Sequence, residues 1–221
     1  MSPGQRPSHR FLVTGCGRSG TGYTATLFTT LGLPCGHEAV FNPYDLDRAE
    51  VFWPEDVPGE SSWLAAPLLQ HMPAGTKVLH QVRSHLEVVR SLVRIRLFDE
   101  PSPYRQFAED LCPQLATGTA LEQSALYWLH WNQIVEEGAR AAGLPYMRYR
   151  LEDYGPELVD ALLEFIEVSI ADGQVQTALA ERPRDVNTRG DKSQDATVSL
   201  DTLDPSLVNQ LTAQARRYGY A

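Results

Sequence analysis

Cysteine is scarce in this chain, with 3 among 221 residues, at positions 16, 35 and 112. The number is odd and the spacing suits no metal, so neither a disulfide framework nor a cysteine-held ion is expected. A reducing compartment, the cytoplasm, fits that usage. The histidines at 71, 80, 85 and 130 show no ligand spacing either, and no metal is expected. Long apolar runs are missing, since none approaches the roughly 20 residues a membrane-spanning helix needs. Met1 to Arg10 lacks the apolar core of an export signal and reads as a polar tail. A surplus of basic residues is missing as well: 19 Lys and Arg stand against 28 Asp and Glu, a net charge of −9. That balance excludes the broad positive field of a general nucleic-acid or membrane-surface binder. Any anionic ligand must therefore be gripped by a few cations gathered locally.

What is present suits a folded α/β chain. Hydrophobic residues make up 43% of the sequence, and no repeat, low-complexity tract or shift in composition divides it. One domain over 1–221 with a full core is expected. The organising stretch is Phe11-Leu-Val-Thr-Gly-Cys-Gly-Arg-Ser-Gly-Thr-Gly-Tyr-Thr-Ala-Thr26. It reads as a short apolar strand, a Gly-rich turn carrying one Arg, and the start of a helix. Glycines at 15, 17 and 20 let the backbone turn sharply and aim its N–H groups at an anion, and the first turn of the helix adds unpaired donors. Against the triphosphatase loop G-x-x-x-x-G-K-[S/T], the glycines at 15 and 20 match, but Thr21 and Gly22 replace the lysine and the Mg²⁺-binding hydroxyl. The cation sits inside the turn instead, at Arg18, where a fixed guanidinium can meet a phosphate oxygen without metal.

Along the chain, helical periodicity follows the loop to Gly32, with Tyr23, Leu27 and Leu31 on one face. Leu33 to Phe41 is a short returning segment, and 42–59 is rich in Pro, Asp and Glu, as expected of a segment beside a cleft. Helical character resumes over Ser61 to Gln70. Lys77 to Val82 reads as a strand exposed on one side, followed by a helix over about Leu86 to Leu97. Residues 98–118 form a polar connection with one short helix. A long amphipathic helix covers Leu121 to Ala142, with Trp128 and Trp131 in its core face, and Leu144 to Arg150 reads as a strand. Pro156 opens the next helix, 171–199 is polar and irregular, and Asp204, Pro205 and Gly219 frame a terminal helix. Alternating strands and helices predict a three-layer α/β/α fold with a central parallel sheet, ligands binding at the carboxyl ends of its strands.

Two motifs together resemble a known family. Arg18-Ser-Gly-Thr21 is similar to the 5′-phosphosulfate loop, [K/R]-[S/G]-G-T, of sulfotransferases that use 3′-phosphoadenosine-5′-phosphosulfate (PAPS). Val82-Arg-Ser-His-Leu-Glu-Val-Val-Arg-Ser91 resembles that family's 3′-phosphate motif, in which an Arg at a strand exit and a Ser two turns into the next helix share one phosphate. Here Ser84-His85 stands where the family often has Asn-Pro or Asp-Pro. Tyr149 to Tyr154 is similar to a third element, with Leu151 in place of a frequent Tyr, and Arg-Arg-Tyr-Gly-Tyr resembles the family's closing helix. The resemblance implies a P-loop-type nucleotide-binding fold, PAPS as donor and 3′,5′-ADP as product. It also implies Gly17, Arg18, Ser19, Gly20, Thr21, Gly22, Tyr23, Arg83 and Ser91 at the nucleotide. Arg189, with Lys192 as second choice, stands in for a phosphate-binding loop near the C-terminus.

Sulfuryl transfer to a hydroxyl needs a base opposite the leaving phosphate and a cation beside it. Arg18 suits the leaving side. Glu38 and His37 are candidates for the base, because they follow the segment that returns to the loop. A histidine accepts a proton near neutral pH, and a glutamate does so once burial raises its pKa. Glu38 is preferred, with His37 orienting it or taking its place. Trp63 and Ser62 are candidates for the acceptor side, Trp63 serving as a flat wall or as plain helix core. Glu152 and Asp153 read as structural partners of arginines rather than an acid/base pair, and Cys16 as a small buried residue. The expected activity is sulfuryl transfer to a small molecule or glycan, on a hydroxyl before an amine. An ATP-dependent small-molecule kinase and a nucleotide-binding regulator without catalysis are the alternatives.

Overall fold

Residues 10–44, 51–181 and 199–220 are described by a computed structural model of the chain. Strand β1 (Phe11–Thr14) is buried along its whole length. Its side chains alternate between two cores, Phe11 and Val13 on one face of the sheet and Leu12 on the other. The remaining strands are β2 (Cys35–His37), β3 (Gly59–Ser61), β4 (Lys77–Val82) and β5 (Tyr146–Arg150). They lie in the order β2-β3-β1-β4-β5, every pair parallel, with β1 in the middle. Parallel neighbours need long crossovers, and the crossovers place helices on both faces.

On one face lie α1 (Thr21–Thr30), α5 (Pro156–Phe165) and α6 (Gln174–Glu181), contributing Leu27, Phe28, Val159, Leu162 and Val175 to a common core. On the other lie α2 (His85–Arg94), α3 (Pro103–Leu111), α4 (Ala120–Ala141) and α7 (Pro205–Arg217). There Leu92, Phe107, Trp128, Trp131 and Leu211 pack together. Local chemistry sets the helix ends. Thr119 and Glu122 close a reciprocal capping box at the start of α4, and the Asp204 carboxylate accepts the Ser206 N–H ahead of Pro205 in α7. The architecture is the expected three-layer α/β/α arrangement. Among the described residues no helix is long and apolar enough to cross a membrane.

Three expectations are corrected. Lys77 to Val82 has no exposed side: all six residues are buried, because β4 sits inside the sheet with helices above and below. Its polar members are satisfied internally, Lys77 Nζ donating to the Phe165 carbonyl and pairing with Glu167, each at 2.7 Å. The helical character expected from Ser61 begins at Trp63 and is 3₁₀. Gly59–Ser61 is a strand, and Trp63–His71 winds as a 3₁₀ run with Pro67 inside it, a residue with no N–H for an α-helical bond. The region from 171 is not irregular throughout, since α6 buries Val175 and Ala178.

His80 of β4 is fully buried, with Nδ1 2.6 Å from the Tyr146 hydroxyl and Nε2 3.0 Å from Asn132 Oδ1. Burial lowers its pKa from 6.5 to about 4. The unfolded chain therefore binds this proton more readily than the folded one, so the contribution to stability is complete above the unfolded value and is lost as pH falls towards 4. Urea denaturation between pH 6.5 and 4 is expected to show a stability decrease to which His80 contributes up to about 3 kcal/mol. A His80→Gln variant should show a correspondingly shallower dependence.

Candidate active site

The turn between β1 and α1 takes its shape from a few bonds. The Ser19 N–H donates to the Cys16 carbonyl at 3.1 Å, and the Tyr23 N–H to the Gly20 carbonyl at 3.0 Å. Gly20 has φ 98°, and a Cβ there would lie 2.8 Å from both Gln81 Nε2 and the Leu151 side chain, so conformation and space both call for glycine. Beneath the loop, Gln81 Nε2 donates to the Ser19 carbonyl at 2.6 Å. Gln81 Oε1 accepts from the Tyr149 hydroxyl at 2.7 Å and from Thr24 Oγ1. The Tyr154 hydroxyl lies 2.7 Å from the same Thr24 oxygen. Burial pushes both phenols well above their ordinary range, leaving the floor uncharged. From the side, Tyr127 of α4 accepts the Gly17 N–H at 2.8 Å.

This loop forms one wall of a cavity of about 430 Å³ at the carboxyl ends of the strands. Gly17, Arg18, Gly20, Thr21, Gly22 and Tyr23 line it, together with His37 and Glu38 after β2, Trp63, Arg83 at the end of β4, and Ser91 of α2. The amides of Thr21 and Gly22 open α1 and, as in any first helical turn, have no carbonyl four residues back within the helix. Arg18 adopts φ 71°, and its Nε donates to Ser91 Oγ at 2.9 Å. Arg83 Nη1 donates to the Arg18 carbonyl at 3.1 Å. The two sequence motifs thus meet at one wall. Arg83 is positioned through its backbone as well, its carbonyl accepting Trp128 Nε1–H at 3.0 Å. Glu87, one turn into α2, lines the same cavity and lies 3.5 Å from Arg83 and 2.9 Å from Arg90.

Beside the loop, His37 Nε2 lies 3.4 Å from Thr21 Oγ1 and 4.0 Å from Glu38 Oε1. About a third of each side chain reaches solvent, 32% for His37 and 28% for Glu38. Trp63 is 8% exposed, belongs to the core and also lines the cavity. It packs on Trp131, Phe107 and Tyr127, with ring centroids 5.1, 5.7 and 6.0 Å away, and turns an edge to the cavity beside Tyr104.

Some expected residues lie elsewhere. Ser62 is buried away from the cavity, its hydroxyl accepting the Leu64 N–H at 3.2 Å. Ser19 is also buried and lines no part of it, contributing its carbonyl to Gln81. Arg189 and Lys192 lie outside the described residues. Glu152 and Asp153 are structural: Glu152 accepts the Ser84 N–H at 2.9 Å, and Asp153 takes a two-point contact from Arg150. Cys16 is fully buried, and its thiol, pushed up to about 12, stays protonated. Sequence reading missed Gln81, Tyr127, Glu87 and Tyr104. A polar residue within a β-type run was the available sign for Gln81. For the others the spacing on their helices carried no mark of the cavity.

No protein-family model matches the chain, and no curated protein matches it in sequence. Among solved structures, the crystal structure of mouse sulfotransferase SULT7A1 complexed with PAP is similar at 13% identity and a TM-score of 0.45. The match covers 96% of this chain and 84% of that one. A likeness at that level carries no argument about activity.

Replacing Gln81 by Leu removes the partner of the Ser19 carbonyl and of the Thr24 and Tyr149 hydroxyls within a dry interior. A loss of about 1–3 kcal/mol is expected. Urea denaturation measures it, and hydrogen exchange at Thr21 and Gly22 should accelerate together with it.

Proposed function

We propose that the chain is a sulfotransferase that moves a sulfuryl group from PAPS to a hydroxyl of a small molecule or glycan. The observation that carries this reading is the meeting of Arg18, Ser91 and Arg83 at one wall of one cavity, through contacts of 2.9 and 3.1 Å. Two motifs far apart in the sequence, each resembling a phosphate-binding element of that family, are brought together there.

The residues present fit a doubly phosphorylated nucleotide. Thr21 and Gly22, whose amides open α1, the cations Arg18 and Arg83, and the hydroxyl-bearing Ser91 all line one cavity, a set of groups able to donate to phosphate oxygens. A bound donor would supply an activated sulfuryl group on a phosphate leaving group. Arg18 and the loop amides would neutralise charge that develops on that phosphate, in a cleft where water is partly excluded. Arg83 and Ser91 would hold the second phosphate. Arg83 would then exchange part of its contact with Glu87 for it. In the same cavity, Glu38 or His37 would take the proton from the acceptor hydroxyl as its oxygen bonds to sulfur and the bond from sulfur to the leaving phosphate oxygen breaks. The edge of Trp63 and the ring of Tyr104 suit an acceptor that presents a flat apolar face.

Binding and turnover test the reading separately. Saturating 3′,5′-ADP should raise the melting temperature by several degrees without magnesium, since stabilisation at a hundredfold excess over Kd is about 2.7 kcal/mol. An absent shift, or one that requires magnesium and ATP, would turn the assignment towards a kinase. Arg83→Ala and Ser91→Ala should weaken 3′,5′-ADP on the order of tenfold or more while leaving 5′-AMP little changed, because only the former carries the 3′-phosphate. With labelled PAPS and a panel of hydroxylated acceptors, Glu38→Gln or His37→Gln should lower kcat on the order of 10²- to 10⁴-fold, and the larger loss identifies the base. Normal 3′,5′-ADP binding with no turnover on any acceptor would indicate a regulator instead.

A further inference from the structure

Glu60 is a fully buried acid in the interior of the sheet, on β3, paired in register with Leu12 on one side and Gly36 on the other. Its Oε1 accepts the backbone N–H groups of Ala39 at 2.8 Å and Val40 at 3.4 Å. Its Oε2 is buried and has no hydrogen-bond partner. Gly36 makes room for it, since a Cβ at that position would come within 2.0 Å of Glu60 Oε2. The chain turns sharply between these contacts. Glu38 has φ 54°, a conformation that non-glycine residues rarely adopt, and its N–H donates to the Ser61 carbonyl at 3.2 Å. The corner carrying His37 and Glu38 is thus fastened by three successive amides, two of them held by a single carboxylate oxygen. A strained residue persists only where its surroundings over-determine it.

We propose that Glu60 is the positioning residue of this corner: its carboxylate, acting through the Ala39 and Val40 amides, holds His37 and Glu38 against the cavity, and the corner loosens when that carboxylate takes up a proton. The catalytic part of the proposal rests on the sulfotransferase reading. The fastening itself does not. The physical basis is that a carboxylate accepts hydrogen bonds roughly twice as strongly as a neutral acid. Burial raises the Glu60 pKa from 4.5 to about 7, the amides pull it down and the charge of Glu38 pushes it up. Among the described residues Glu38 acts on it by its charge, and the thiol of Cys35, one residue along β2 from Gly36, is near enough to feel the charge of Glu60. That thiol stays protonated, its pKa raised far above its usual value by burial.

Two measurements decide the matter. In ¹H–¹⁵N spectra of the wild-type chain, the Ala39 and Val40 amides should shift with a common midpoint near pH 7, and Glu60→Gln should abolish that titration. Glu60→Gln should also lower kcat on the order of 10- to 100-fold, flatten its acid limb, and leave the KM for PAPS and the Kd for 3′,5′-ADP unchanged. Should Glu60→Gln fail to fold, the wild-type titration still tests the fastening. Amides that do not move near pH 7 would overturn the proposal whatever the activity. An unchanged kcat in a folded Glu60→Gln would overturn the catalytic part. Titrating amides in a chain that transfers no sulfuryl group to any acceptor would support the fastening and count against the sulfotransferase reading alone.

Discussion

Gln81 reaches three parts of the molecule from the interior of β4, and the shape of the candidate site depends on it. Its amide nitrogen meets the Ser19 carbonyl of the loop, and its amide oxygen meets hydroxyls of Thr24 in α1 and Tyr149 in β5. Gln81 is fully buried, so the loss of its side chain would leave each of these groups unsatisfied. A neutral amide suits the position because it offers a donor on one side and an acceptor on the other. With the loop seated on this floor, Arg18 turns through φ 71°, presenting its carbonyl to Arg83 and its side chain to Ser91. The link from β4 to the loop and on to α2 is therefore one continuous set of bonds.

A net charge of −9 does not prevent a local gathering of cations from attracting an anion, because charge acts locally. Exposed charges are screened within about 8–10 Å at ordinary ionic strength, whereas Arg18 and Arg83 lie together on a wall that also includes helix-opening amides. Acidic side chains share the cavity at two separated points. Glu87 moderates the cationic wall through its contacts with Arg83 and Arg90, and Glu38 lines the cavity beside His37.

The wall of the cavity at Trp63 is built from the core itself. Trp63 follows directly on β3, and its carbonyl accepts Trp131 Nε1–H from α4 at 3.1 Å. The ring is clamped by Trp131, Phe107 and Tyr127, so the edge it offers to the cavity is fixed by packing. Tyr127 goes further, bounding the cavity and holding the Gly17 amide. A single cluster of aromatic residues thus serves the interior and the site together.

The features legible in the sequence were those set by near neighbours in the chain. Closely spaced glycines with one arginine marked the turn after β1, apolar periodicity marked α1 and α4, and Asp204 with Pro205 marked the start of α7. Arg83 and Ser91 were singled out by their resemblance to a family motif, whose spacing one strand-to-helix turn accommodates. Strand β3 was not legible, because three residues are too few to show a period, and its buried Glu60 contradicts the apolar pattern of an interior strand. Gln81, Tyr127 and Glu60 lie 62, 110 and 21 residues from the groups they hold. Local propensity and hydrophobic pattern thus determined which segments would form and that they would alternate around a parallel sheet. The floor of the loop, the meeting of Arg18 with Ser91 and the fastening of the His37–Glu38 corner were decided only when the strands took their order, because those bonds join side chains that nothing in the local sequence brings together.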